Sequence, residues 1–279
     1  MTKVVSAVTC LWLLVSLPCF SKDVEVGGAI IRIVPPNGYV ELTADDDKAL
    51  FDLFRQFVAP TNVEYAHFIS NEDFERVREG EKAAFARRLS VQVLRTEQDL
   101  DLTIGKFKKL KSDQRRELSE ISTVLKEANK YVGEQFESLE SEFDVNIGFD
   151  GMKMSALPVH LENDRALAFS TKVESTMNDE RGTPITYTGM VTTTLVELNG
   201  RAMLLYAFGA EGDLEWTRAA SVKWMNEMML ANPSRQLDGW FFDSWSERSK
   251  NALLAAIVGG LLALIGGWIS DRRRRKSVK

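Results

Sequence analysis

Residues 252–269 hold eighteen consecutive uncharged side chains and run almost at once into Arg272, Arg273, Arg274, Arg275 and Lys276. At ~1.5 Å per helical residue such a stretch is roughly 27 Å long, close to the ~30 Å hydrocarbon core of a bilayer. A buried core helix seldom runs this far without one polar side chain. Trp268 marks the edge nearest the basic cluster, where an aromatic ring favours the headgroup layer. Length, flank and marker together predict a single C-terminal transmembrane helix over 251–270. The basic tail, 271–279, stays on the cytoplasmic side, which puts everything before the span on the other face.

The opposite end agrees. Residues 1–21 place Lys3 before an apolar run, then Pro18 and the small residues Cys19 and Ser21 at −3 and −1 of a cut before Lys22. This is the order of a secretory signal peptide. If the segment is not removed, Lys3 also stays inside, and the chain becomes a loop with two anchors and the same domain outside. Both cysteines, Cys10 and Cys19, fall here, so residues 22–250 need no disulfide; at this length a core suffices without one.

Setting aside Lys3, the six basic residues beyond 251 and Asp271, residues 22–250 carry a net charge of about −11. Nucleic-acid binding draws on basic surface, and a domain this acidic is not built for it. The asparagine at 232 is followed by proline, which spoils the chain's one Asn-x-Ser, in keeping with a bacterial periplasm.

Within the outer part, a domain is expected over 22–231. Residues 29–34 read as a short strand ended by Pro35-Pro36-Asn37-Gly38. Thr43 and Asp45–Asp47 then cap a helix with the stripe Leu50, Phe51, Phe54, Phe57 and Val58, and capping explains the three acids without a cation. Strands are expected over 63–69 and 85–94. A long charged helix is expected from Ser112 to Phe143, with a seam of Leu118, Ile121, Leu125, Ala128, Val132, Phe136, Leu139 and Phe143 that covers this domain's own sheet, a second copy or another protein. Strands over 165–175, 185–198 and 201–208 follow, the last two joined by Asn199-Gly200, a two-residue hairpin signal. Gly212 and Asp213 open a helix to about Leu230, with Trp216, Ala220, Trp224 and Met228 on one face and Val222, Met225 and Met229 widening it. Consecutive strands followed by a covering helix make an α+β fold with a mainly antiparallel sheet packed with helices.

Residues 232–250 form a juxtamembrane linker. Trp240, Phe241, Phe242 and Trp245 stand six to eleven residues before the span, at the depth where rings sit in the interface. Within the span, Ala255, Gly259, Ala263 and Gly267 recur every fourth residue, a flat stripe on which two such helices can approach closely, so a homo-oligomer through the span is one expectation. The other partners expected are the lipid bilayer and an envelope protein.

Chemistry is thinly supplied. The mature chain has no thiol, and its histidines are His67 and His160, both in strand-like runs where a structural role is expected. No HExxH, GxSxG, GxxxxGK[ST] or GxGxxG occurs. Asp99-Leu100-Asp101 begins like a calcium loop, but Gly105 falls one place late and Leu110 stands where the bidentate Glu belongs. No catalytic, cofactor-binding or metal-ligating residue is singled out, and no cofactor is expected.

The order of elements, with "IRIVPPNGYVEL" (Pro36, Gly38, Tyr39) near the start and strand, Asn-Gly, strand and a Trp-containing last helix at the end, resembles the PsbP-like and DcrB-like superfamily over roughly 30–231. The long charged helix and the C-terminal anchor depart from that pattern. The resemblance implies an antiparallel sheet between helices and a non-catalytic accessory or binding role in an exported compartment; it carries over no functional residue. The reading is therefore a membrane-anchored envelope protein that binds or assists, with an envelope hydrolase using a carboxylate or serine site as the alternative. A sensor is disfavoured, because nine residues on the cytoplasmic side leave no room for an output domain.

Overall fold

A computed structural model describes residues 21–234, except 57, 82, 122–124, 127–128, 131, 135–136, 138–147 and 179–182. The chain opens with a hairpin of β1 (Lys22–Val26) and β2 (Ala29–Ile33). It continues through β3 (Tyr39–Glu41), α1 (Lys48–Gln56), β4 (Asn62–Ser70), α2 (Asn71–Arg78), β5 (Arg88–Leu94) and α3 (Ile104–Ser119). Then come β6 (Phe149–Ala156), β7 (Leu161–Asn163), β8 (Ala166–Asn178), β9 (Pro184–Leu198), β10 (Arg201–Ala210) and a last helix, α4 (Leu214–Ala231).

Eight strands pair antiparallel in the order β3-β4-β5-β10-β9-β8-β6, with β7 also on the outer edge of β8. Strand alternation gives this sheet two apolar faces. On β10, Ala202, Leu204, Tyr206 and Phe208 point to a core shared with Leu53 and Phe54 of α1 and Phe107 and Leu110 of α3. Met203, Leu205 and Ala207 point the opposite way, to Trp224, Met225 and Met228 of α4 and to Ile31 and Ile33 of β2. The domain is thus helix, sheet, helix, with the β1–β2 hairpin beside α4 on the second face. The expected α+β class with a mainly antiparallel sheet is what forms.

Several boundaries differ from expectation, each for a local reason. The charged helix starts at Ile104, eight residues before Ser112, because Thr103 caps it, its hydroxyl accepting from the Lys106 amide at 3.2 Å. As described it ends at Ser119, short of the expected Phe143. Of the expected seam, Leu118 within it and Ile121, Leu125 and Val132 beyond it pack on or into the domain's own core. Ala128, Phe136, Leu139 and Phe143 lie outside the described residues. Strand β5 starts at Arg88 rather than 85, since Phe85 takes a left-handed φ of 48°. In α1 the Asp47 side chain caps the Leu50 amide at 3.0 Å, supporting the capping role of the acids, and Leu53 joins the buried stripe. His160 lies between β6 and β7 rather than within a strand, though its amide still donates to Ala168 at 3.1 Å. The Asn199-Gly200 turn forms as expected, with φ of 48° and 80°.

Among the described residues no helix is long and apolar enough to cross a membrane. The expected span at 251–270, with Ala255, Gly259, Ala263, Gly267 and Trp268, lies outside the described residues. So do the linker rings Trp240, Phe241, Phe242 and Trp245 and the tail Arg272, Arg273, Arg274, Arg275 and Lys276.

Candidate functional site

Two places gather polar groups. The first is inside the sheet, beneath α1. Here β4 and β5 turn polar side chains toward the core: Asn62 donates to Gln92 at 2.7 Å, Gln92 to Ser90 at 2.9 Å, and Ser90 to Glu64 Oε1 at 2.6 Å. His67 Nδ1 stands 3.1 Å from that same Glu64 oxygen, and its ring stacks on Phe54 at 4.6 Å. A β-bulge between Glu64 and Ala66 aims the glutamate inward. The trio of Ser90, His67 and Glu64 has the members of a nucleophilic triad in the wrong order. An activating base stands between serine and acid, whereas here serine and histidine share one carboxylate oxygen. The side chains of His67 and Glu64 are 6% and 8% exposed, so the set is also closed to a substrate.

Arg88 completes this interior. It is fully buried, with its guanidinium 5.0 Å from the Phe54 ring centre and 5.7 Å from Phe208, and none of its nitrogens has a hydrogen-bond partner among the described residues. Burial pushes its pKa down to about 9, against the pull of Asp73 and Glu64. Burial likewise raises the Tyr206 phenol above its ordinary range. His160 is depressed by burial and by Arg218, and so stays neutral near pH 7. Arg88 and Tyr206 specify packing within the core and are closed to a ligand from solvent, whereas His160 is half-buried in the β6–β7 connection.

The second place is one pole of the domain, where the turns and the chain's exit meet. Asn232, just past α4, presents its side-chain amide to β2 as a neighbouring strand would. It accepts from the Arg32 amide at 2.7 Å and donates to the Arg32 carbonyl at 2.8 Å. Its own carbonyl receives the Arg165 guanidinium at 2.9 Å, and Arg165 is held in turn by Glu197 at 2.8 Å. Arg201 donates to Val26 at 3.0 Å and also to Gly27, tying the β1–β2 turn to the same pole. The start of α3 is fastened there too, Leu102 donating to Gly200 at 2.9 Å.

Beside this clasp, α3 and the β7–β8 turn border an open surface cleft of about 560 Å³ lined by Lys108, Lys111, Ser112, Arg115, Glu162, Asn163 and Asp164. The Lys111 side chain, 7% exposed, donates to the Asn163 carbonyl and lies 3.6 Å from Glu162, which also pairs with Arg115. Burial lowers the Lys111 pKa, and Lys108 and Arg115 add to that. Neither this cleft nor the buried network was singled out by motif. A density of six cations against two acids in residues 104–119 of an acidic domain was the available signal for the cleft.

Among the described residues, no group of three or more His, Cys, Asp or Glu is arranged to hold a metal. No protein-family model and no curated protein sequence matches the chain. Among solved structures it is similar to the Ran-binding protein Mog1p of Saccharomyces cerevisiae, at 18% identity over 76% of this chain and 94% of that one, with a TM-score of 0.29. A point mutant of Mog1 matches with the same identity, coverage and TM-score. Superposition at that level carries no argument about fold or function.

Proposed function

We propose that this chain is a membrane-anchored accessory or binding protein of the bacterial cell envelope. The span at 251–270 crosses the inner membrane, the 22–231 domain is extracytoplasmic, and 271–279 is cytoplasmic. The observation that carries the reading is the clasp at Asn232. The chain leaves a rigid domain at one fixed point, and the sequence beyond it runs through Trp240, Phe241, Phe242 and Trp245 into an apolar stretch with a basic end. That order suits a folded head on an interfacial stalk. His67, Glu64 and Ser90, the one place where serine, histidine and carboxylate meet among the described residues, are tied into a closed network, which favours binding over catalysis. The PsbP-like and DcrB-like resemblance points the same way.

The partners we propose are the bilayer itself, an envelope protein, and a second copy through Ala255, Gly259, Ala263 and Gly267. Alkaline carbonate extraction tests the anchor. The full chain should stay in the membrane pellet, and deletion of 251–270 should release it as a soluble periplasmic protein. Release of the undeleted chain by carbonate would overturn the reading.

A further inference from the structure

We propose that the cleft between α3 and the β7–β8 turn docks on anionic lipid headgroups of the membrane that anchors the chain, with Lys108, Lys111 and Arg115 receiving a headgroup phosphate. The inference rests on the anchored reading above. Its first support is charge. Residues 22–250 carry a net charge of about −11, yet α3 holds six cations and two acids. The acids Glu162 and Asp164 leave the three-cation cleft one positive charge over. Lys108 has no ion-pair partner among the described residues, and Glu162 is shared between Lys111 and Arg115. A phosphate would neutralise the excess that the protein's own carboxylates leave.

The second support is position. Asn163, whose carbonyl receives Lys111, stands two residues before Arg165, and Arg165 grips the carbonyl of Asn232, where the chain departs for the membrane. From there the 18 residues 233–250 lead to the span. As a coil they would reach about 25 Å, and fully extended no more than ~65 Å. The pole bearing the cleft is therefore the part of the domain nearest the point where the tether attaches, and the tether is long enough for it to reach the headgroups. Attraction between Lys or Arg and an anionic surface fades within a Debye length of about 10 Å, so a patch at the near pole is worth more than the same patch elsewhere. Arginine and lysine at a recess also supply the donors that a phosphate accepts.

The test uses the full chain in bilayer nanodiscs, with Cys10 and Cys19 replaced by serine and a fluorophore on Ile104→Cys. Ile104 is 54% exposed, one turn before Lys108 and outside the cleft. The discs carry a headgroup-linked quencher in phosphatidylcholine alone or in a phosphatidylglycerol-rich mixture. We expect strong quenching in the anionic discs, loss of it at high salt, and a fall of about 30-fold in the ratio of docked to undocked protein in Lys108→Gln/Arg115→Gln. The variant should melt with the parent, showing that the fold is kept. Equal quenching in both bilayers, or quenching that survives the double substitution, would overturn the inference and leave an acidic protein partner as the cleft's occupant. A chain that fails to enter the discs at all would overturn the anchored reading instead.

Discussion

Arg88 shows how a single residue can be stable in place and still costly. Its guanidinium sits between two phenyl rings, near Glu64 and Asp73, with water excluded and no hydrogen bond to offset its desolvation among the described residues. Cation–π contact recovers part of that cost, on the order of 2 kcal/mol when desolvated. A buried charge with no ion pair or hydrogen bond leaves its desolvation cost uncompensated, and an apolar chain of similar reach removes that cost. Arg88→Met should therefore raise the unfolding free energy by about 1–3 kcal/mol in a urea titration, and a loss of more than 1 kcal/mol would show that the cation is paired in a way this account lacks. Asp213 makes the opposite case. Arg87 bonds it at 2.6 Å and holds its carboxyl below the usual range, with the Ala210 amide adding a second bond at 3.0 Å. A depressed folded pKa contributes stability that is present above the unfolded value of ~3.9 and is lost as pH falls through the folded one. Asp213→Asn should cost about 1 kcal/mol at pH 7, and that gap should close toward pH 2. Thermal melts across pH test it, and a gap independent of pH would exclude the charge as its source.

At the scale of elements, what periodicity could reveal depended on whether a side chain's polarity matched its burial. β9, β10 and the Asn199-Gly200 turn were legible because apolar runs flank a turn whose two residues need left-handed backbone. The last helix was placed correctly, but Thr217 and Ser221 also face its core. They do so because Thr217 accepts from Thr192 at 2.9 Å and Ser221 bonds Thr194, a hydroxyl seam that an apolar template passes over. β6 and β7 were missed: their exposed edge breaks the alternation, and Gly151 has a φ of 136°. In the first hairpin Gly27-Gly28 is, like Asn199-Gly200, a two-residue turn of the kind that joins paired strands. That turn yields a sharp prediction. A Cβ on Gly27 would lie 2.0 Å from the Gln98 carbonyl oxygen, whereas one on Gly28 meets nothing within 4 Å, although both have positive φ. Gly28→Ala should cost only the ~1–2 kcal/mol of left-handed backbone, and Gly27→Ala at least ~3 kcal/mol because backbone must move as well. Equal melting temperatures for the two variants would mean that the turn does not dock where it is described.

For the whole molecule, both faces of the sheet are covered, which leaves the polar cleft at the rim as the candidate site. The candidate cleft was hard to read in the sequence because it joins α3 to a turn some fifty residues later, through Lys111 and Glu162, and no local pattern encodes that contact. The aromatic residues at 240–245 and the uncharged run at 252–269, by contrast, are legible as composition alone, and the proposed topology rests on them. The account stands or falls on that topology. Protease added to intact spheroplasts, with the outer membrane removed, should digest the 22–231 domain and spare a short fragment holding 251–279. Full protection of the domain until detergent is added would contradict the account.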